Sequence, residues 1–247
     1  MAKIIAVVSG KGGTGKSTVS ASLALALAAS GSSVLAADLD IGLRSMDILL
    51  ELENKIVFDI GDVLEKKCAV EDAMAAHSRY DRLKLLCAPV SMTKSFYIPS
   101  VTALLRKASS SFDYMILDLP AGLGLSVILA RELADLVAVV TVPDIITMRD
   151  TRKTVDVILS NCKKPCRLII NKVCRETMTA GGVRDLDEVM DEVGIQLFGV
   201  VPWDPYINSR FTSLKGKESR GALTERVFAA MAERVNGRYV PILVNRA

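Results

Sequence analysis

The 247-residue chain has one histidine, His77, and one tryptophan, Trp203, and only 5% of its residues are aromatic. With a single histidine, Ser-His-Asp hydrolysis would have to depend on His77, and multi-histidine metal sites are excluded. Five cysteines are present (Cys68, Cys87, Cys162, Cys166 and Cys174) but no C-x-x-C pair, so the expectation is free thiols in a reducing cytoplasm. Apolar runs such as Ile4–Val8 and Leu136–Val140 fall far short of the ~18 residues a membrane span requires. Met1-Ala2-Lys3 leads into no signal-peptide h-region or cleavage site, which argues against secretion. Basic residues exceed acidic ones by only three, 31 against 28, too few to imply a nucleic-acid partner. What remains is half hydrophobic and about a quarter charged, the composition of an ordinary globular protein.

Short apolar runs alternate with helical patterns along the whole chain. The runs are Ile4–Ser9, Ser33–Asp38, Leu83–Cys87, Tyr114–Asp118, Leu136–Val142, Arg167–Asn171 and Leu197–Val201. Several are apolar at consecutive positions, as in strands covered on both faces. Between them lie candidate helices at Ser17–Ala29, Ser100–Ala108, Leu125–Leu133, Thr147–Leu159, Val183–Val193 and Leu223–Val235. This alternation predicts an α/β fold, a single doubly wound domain over residues 1–237 with a mostly parallel sheet. Ligands of such sheets sit beyond the carboxyl ends of the strands.

The first strand runs into Gly10-Lys11-Gly12-Gly13-Thr14-Gly15-Lys16-Ser17, followed by Thr18. The pattern G-x-x-x-x-G-K-[ST] between a strand and a helix is a phosphate-binding loop. Its glycines let backbone N–H groups turn toward phosphates, and the next helix adds its positive end. Lys16 can bridge the β- and γ-phosphates of ATP, and the Ser17 hydroxyl can ligate Mg²⁺. Two further strand ends carry carboxylates. Asp38 and Asp40, two apart on one strand, point the same way, and together could hold Mg²⁺ through water and orient an attacking water. Asp118 ends an apolar strand before Leu119-Pro120-Ala121-Gly122, the Walker B arrangement beside a metal.

The loop Gly-Lys-Gly-Gly-x-Gly-Lys-Ser, with its second lysine Lys11, resembles the deviant Walker A of the MinD/ParA ATPase family. The resemblance spans residues 2–236 and implies a P-loop ATPase that binds Mg·ATP. It implies that Lys11 reaches across a nucleotide-sandwich homodimer to the partner's phosphates, that Asp40 positions the attacking water, and that Asp38, Ser17 and Asp118 lie at the metal. Gly10–Thr18 would hold the phosphates. Asn171, with the segment around Pro202 and Asp204, would meet adenine. GTPases carry Asn-Lys-x-Asp where this chain has Asn171-Lys172-Val173-Cys174; a thiol is a poor acceptor for paired N–H donors, which disfavours guanine.

Asp40-Ile41-Gly42-Leu43-Arg44 and Pro143-Asp144 followed by Arg149-Asp150 place the resemblance nearer the MinD branch than the DNA-segregating one. It implies a role in placing the division site, with a regulatory protein received near Arg149 and Asp150. Two departures stand out. Residues 238–247 lack the basic amphipathic helix that MinD proteins lay on lipid. Pro241 breaks any helix there, so direct membrane contact is doubtful, and the alternative is a tail packed on the domain as an edge strand. A cytoplasmic protein, brought to the inner membrane face only through a partner, is the expectation. The loop Ile145–Met148 is also more apolar than its Ser-rich relatives. Two other readings remain: a DNA-binding ATPase, suggested by Arg210, Lys215, Lys217 and Arg220, and a metal- or cluster-insertion ATPase using Cys162 and Cys166.

Overall fold

The computed structural model describes residues 1–91, 96–205, 207 and 222–243. The strands are β1 (Lys3–Val8), β2 (Val34–Asp38), β3 (Ala75–Ala76), β4 (Leu83–Cys87), β5 (Tyr114–Asp118), β6 (Leu136–Thr141), β7 (Cys166–Val173) and β8 (Leu197–Pro202). They form one sheet in the order β3-β4-β2-β5-β1-β6-β7-β8, parallel throughout except for the antiparallel pair of β3 with β4. The first strand lies centrally, with β5 on one side and β6 on the other. That junction is the switch point where a doubly wound sheet opens its crevice.

Helices α1 (Lys16–Ala29), α4 (Ile98–Ser109), α5 (Leu125–Leu133), α6 (Ile145–Asn161), α8 (Leu186–Val193) and α9 (Ala222–Val235) correspond to the six expected ones, with ends shifted by up to three residues. Three short helices, α2 (Met46–Leu49), α3 (Ile60–Leu64) and α7 (Arg175–Ala180), and the two-residue β3 were not expected. Each is too short to show a periodicity; local caps define two of them. Asp59 accepts from the N–H groups of Gly61 and Asp62 to start α3, and Cys174 caps α7 through Thr177.

Alternate residues of β1 enter opposite cores. Ile4, Ala6 and Val8 join one apolar cluster, and Ile5 and Val7 join the other. This explains the unbroken apolar runs: each sheet face is roofed by helices. On one face Val19, Leu23 and Leu27 of α1 pack beside Val227, Phe228 and Met231 of α9. Each such fully buried side chain contributes about 1.5–3 kcal/mol relative to exposure.

Beyond α9 the described part of the tail, residues 236–243, forms no edge strand. The Arg234 guanidinium holds it instead, donating to the carbonyls of Val240 at 2.9 Å, Pro241 at 2.5 Å and Phe198 of β8 at 2.9 Å. Val244 to Ala247, and the basic residues Arg210, Lys215, Lys217 and Arg220, lie outside the described residues.

Candidate functional site

Residues 9–15 form the turn from β1 into α1. Gly13 and Gly15 adopt φ of +82° and +86°, a left-handed backbone that residues with a Cβ rarely enter. Gly15 is required for space as well, because a Cβ there would sit 2.2 Å from the Asn171 side-chain nitrogen. No side chain caps the start of α1, and its first turn has no acidic residue. Its N–H groups and positive end therefore face the loop, ready for an anion.

Behind the loop lies a cluster of buried charges. Lys16 Nζ donates to Asp118 Oδ1 at 2.8 Å, and the Ser20 hydroxyl donates to the same oxygen at 2.9 Å. The other carboxylate oxygen, Asp118 Oδ2, is buried without a hydrogen-bond partner. Asp38 stands opposite Asp118 in the β2–β5 register, and its carboxylate accepts from the N–H groups of Asp40, Ser45 and Met46. Burial, together with the neighbouring Asp118 charge, pushes Asp38 up to about 6 despite those bonds. Asp40, half-buried at the mouth, is raised as well, by burial first and Asp118 after it, while Lys16 pulls it down. An orphaned carboxylate oxygen beside a second, reluctantly ionised carboxylate is a donor set that fits a hard divalent cation such as Mg²⁺. Ser17 and Thr18 lie half-buried in the first turn of α1.

Lys11 is exposed on the loop. Asp144, the N-cap of α6, accepts from the Thr147 hydroxyl and N–H, which hold its carboxyl below the usual range, with a smaller pull from Lys11. Gly10 lies tight against the same helix, 2.6 Å from the Asp150 carbonyl were a Cβ added. Arg149 is exposed, and Asp150 pairs loosely with Lys153 at 3.5 Å.

On the other side of the loop, Asn171 donates from Nδ2 to the Thr14 carbonyl at 2.8 Å, and Lys172 donates from Nζ to the Gly13 carbonyl at 2.7 Å. A cavity of about 210 Å³ lies between Gly15, Thr18, Asn171 and Lys172 and the segment Pro202–Pro205 after β8. Cys174 is turned away from it: its sulfur accepts from the Thr177 N–H at 3.4 Å. A larger cavity of about 500 Å³, between α1, α9 and the turn at His77–Tyr80, contains none of the expected site residues.

The structure thus brings Lys16, Asp38, Asp40, Asp118 and Asn171 around one loop, with Pro202 and Asp204 across the cavity. It adds Ser20 and Lys172. Ser20 stands one helical turn after Lys16, and that i+4 spacing from a phosphate-loop lysine was the available signal. Lys172 sits in the Asn-Lys dipeptide at a φ of +59°. Cys162 and Cys166 fall on different elements, the end of α6 and the start of β7, and both are buried. Among the described residues no group of three or more His, Cys, Asp or Glu is placed to hold a metal.

Comparison with known proteins agrees with this geometry. A ParA family model, described as NUBPL iron-transfer P-loop NTPase, matches residues 1–236. The septum site-determining protein MinD of Helicobacter pylori is 36% identical over 85% of this chain and 81% of its own length. The Aquifex aeolicus chain of a MinC:MinD cell division complex superposes with a TM-score of 0.83 at 29% identity, covering 98% of this chain and 99% of that one. The septum site-determining protein MinD of Pyrococcus horikoshii, complexed with Mg-ADP, gives 0.78 at 26% identity over 96% of both chains. By its loop, its strand-end carboxylates and its likeness along nearly the whole length, this chain belongs to the MinD branch of the MinD/ParA family of P-loop ATPases.

Proposed function

We propose that this protein is a Mg·ATP-hydrolysing switch that acts in placing the division site and works through a regulatory protein partner. The carrying observation is the Lys16–Asp118 pair with its orphaned Oδ2 beside Asp38. Lys16 then exchanges Asp118 for the β- and γ-phosphates, which the loop N–H groups and the start of α1 cradle. Ser17, Asp38 and Asp118 would hold Mg²⁺, which when bound neutralises charge between the two phosphates. Asp40, at the mouth, orients the attacking water. Asn171 and the Pro202–Asp204 segment face the base, and the turned-away Cys174 leaves no carboxylate there for guanine.

Lys11 serves the partner's phosphates in a sandwich homodimer. Four exposed apolar residues, Leu43, Leu123, Ile145 and Ile146, follow the carboxyl ends of β2, β5 and β6, around the phosphate loop, where a second copy would cover them. The regulatory partner, of which the Aquifex aeolicus MinC:MinD complex is an example, docks on α6 near Arg149 and Asp150. No helix among the described residues is long and apolar enough to cross a membrane, and residues 238–243 form no helix and are tied to the domain through Arg234. Cys162 and Cys166 are buried in the core and give no support to a cluster carrier.

Phosphate release from ATP tests the proposal. The expected result is Mg²⁺-dependent release whose specific activity rises with protein concentration, as a dimeric site requires. Turnover independent of concentration would remove the dimer, and no turnover at any concentration would remove the ATPase.

A further inference from the structure

The chain's one tryptophan stands at the base end of the proposed site. Trp203 lines the 210 Å³ cavity opposite Gly15, Thr18 and Asn171, and half of its surface is exposed. Its backbone is unusually well fixed for a loop residue. Its N–H donates to the Val173 carbonyl at 2.9 Å, tying the segment after β8 to the end of β7. Next to it Asp204 accepts from the Thr224 hydroxyl of α9 at 3.2 Å. Pro202 precedes it and Pro205 follows two residues later, restricting the backbone on both sides. Across the cavity, Asn171 and Lys172 are committed to the carbonyls of Thr14 and Gly13. The cavity therefore has a polar wall continuous with the phosphate loop and an opposing wall in which the half-exposed indole of Trp203 is the one aromatic ring, beside Pro202, Asp204, Pro205 and Ile207.

We propose that Trp203 stacks on the purine ring of the bound nucleotide and supplies most of the affinity for the base. This rests on the nucleotide reading of the site. A flat aromatic surface recognises any base by its face, so Trp203 strengthens purine nucleotides in general. Choice between adenine and guanine is left to the edge of the ring, at Asn171 and at position 174, where the sulfur is turned to α7. The role is distinct from that of Lys16, which acts on the phosphates and is blind to the base.

Because Trp203 is the only tryptophan, its emission reports on this contact alone. Titration of the full-length protein with Mg·ATP is expected to quench it, while tripolyphosphate, which has no base, leaves it unchanged. Trp203→Ala should weaken ATP and GTP about tenfold or more by calorimetry, with tripolyphosphate affinity unaltered, and Trp203→Phe should restore most of the loss. Calorimetric ATP binding with no change in emission, or equal ATP affinities for wild type and Trp203→Ala, would overturn the stacking role. Absence of ATP binding to the wild type would instead overturn the nucleotide reading on which it rests.

Discussion

Lys16 Nζ sits 2.8 Å from Asp118 Oδ1, with the lysine 7% exposed and the carboxylate fully buried. The cation that would grip the γ-phosphate is thus held by the carboxylate that would face the metal. The two buried groups are each other's ion-pair partner, and nucleotide with Mg²⁺ would supply new partners to both. The pair satisfies Asp118 Oδ1 and leaves Oδ2 without a partner.

Lys16→Ala should therefore fail twice. Mg·ATP binding is lost because the β/γ charge loses its nearest cation. The nucleotide-free protein is also destabilised, by about 3–5 kcal/mol, because a buried carboxylate is left uncompensated. For a chain of this size that lowers the melting temperature by roughly 10 °C. Adding Asp118→Asn should recover much of the melting temperature and none of the ATP binding. A single variant that binds ATP with wild-type affinity in calorimetry would show the loop to be misassigned.

Asp40→Ala is expected to bind ATP and stop turning it over, since the water loses its orienting carboxylate. The trapped protein should elute as a dimer on a sizing column with ATP. Lys11→Ala should bind nucleotide and remain a monomer, its side chain being exposed and Asp118 being paired with Lys16 instead. A monomeric Asp40→Ala or a dimeric Lys11→Ala contradicts the sandwich.

Asp38 gives the nucleotide-free protein a distinctive pH response. Its carboxyl titrates at about 6 in the fold against 3.8 as its ordinary value, so the folded state takes up the proton first as pH falls. Stability should rise from above pH 6 down toward 4, by about 3 kcal/mol from this group alone. His77 works in the opposite sense. Burial, and then Lys55 and Arg79, lower it from 6.5, so its contribution declines as pH falls through that value. It is common to wild type and variant, so the difference between wild type and Asp38→Asn isolates Asp38. Melting curves in a chelator should show the variant gaining less than wild type between pH 7.5 and 5; parallel curves would show that Asp38 is not strained.

Much of this site was legible because its residues sit at ends of elements that announce themselves. Strands apolar on both faces give the sheet, and parallel order places Asp38, Asp118 and Gly10–Ser17 at one edge. Register is different: that Asp38 stands opposite Asp118 depends on β5 lying between β1 and β2, and no local pattern encodes strand order. Short elements escaped for a related reason, since α3 exists through the Asp59 cap and β3 through two residues paired to β4. The i+4 spacing puts Ser20 on the same helix face as Lys16, but that its hydroxyl meets Asp118 depends on α1 packing against β5, which no local pattern encodes.

The packing of the segment after α9 gives the final prediction. Tyr239, Val240, Ile242, Leu243 and Val244 are its large apolar residues. Pro241 denies them helical spacing, so they offer no continuous stripe to lipid. A dimer adds two anchors, but two surfaces this small remain too weak to hold. Binding would moreover begin by stripping part of the tail off the domain: Leu243 packs against the core, and Arg234 binds the carbonyls of Val240, Pro241 and Phe198. Arg234→Ala should release the strap, read as faster tryptic cleavage at Arg238, with ATP turnover kept. Wild type with ATP should stay in the supernatant when spun with anionic liposomes at physiological salt, and the freed tail of the variant should not change that, because release exposes the same five residues. ATP-dependent co-sedimentation of wild type, abolished by deleting residues 238–247, would show instead that the tail is an anchor and that the Arg234 contacts are its resting place.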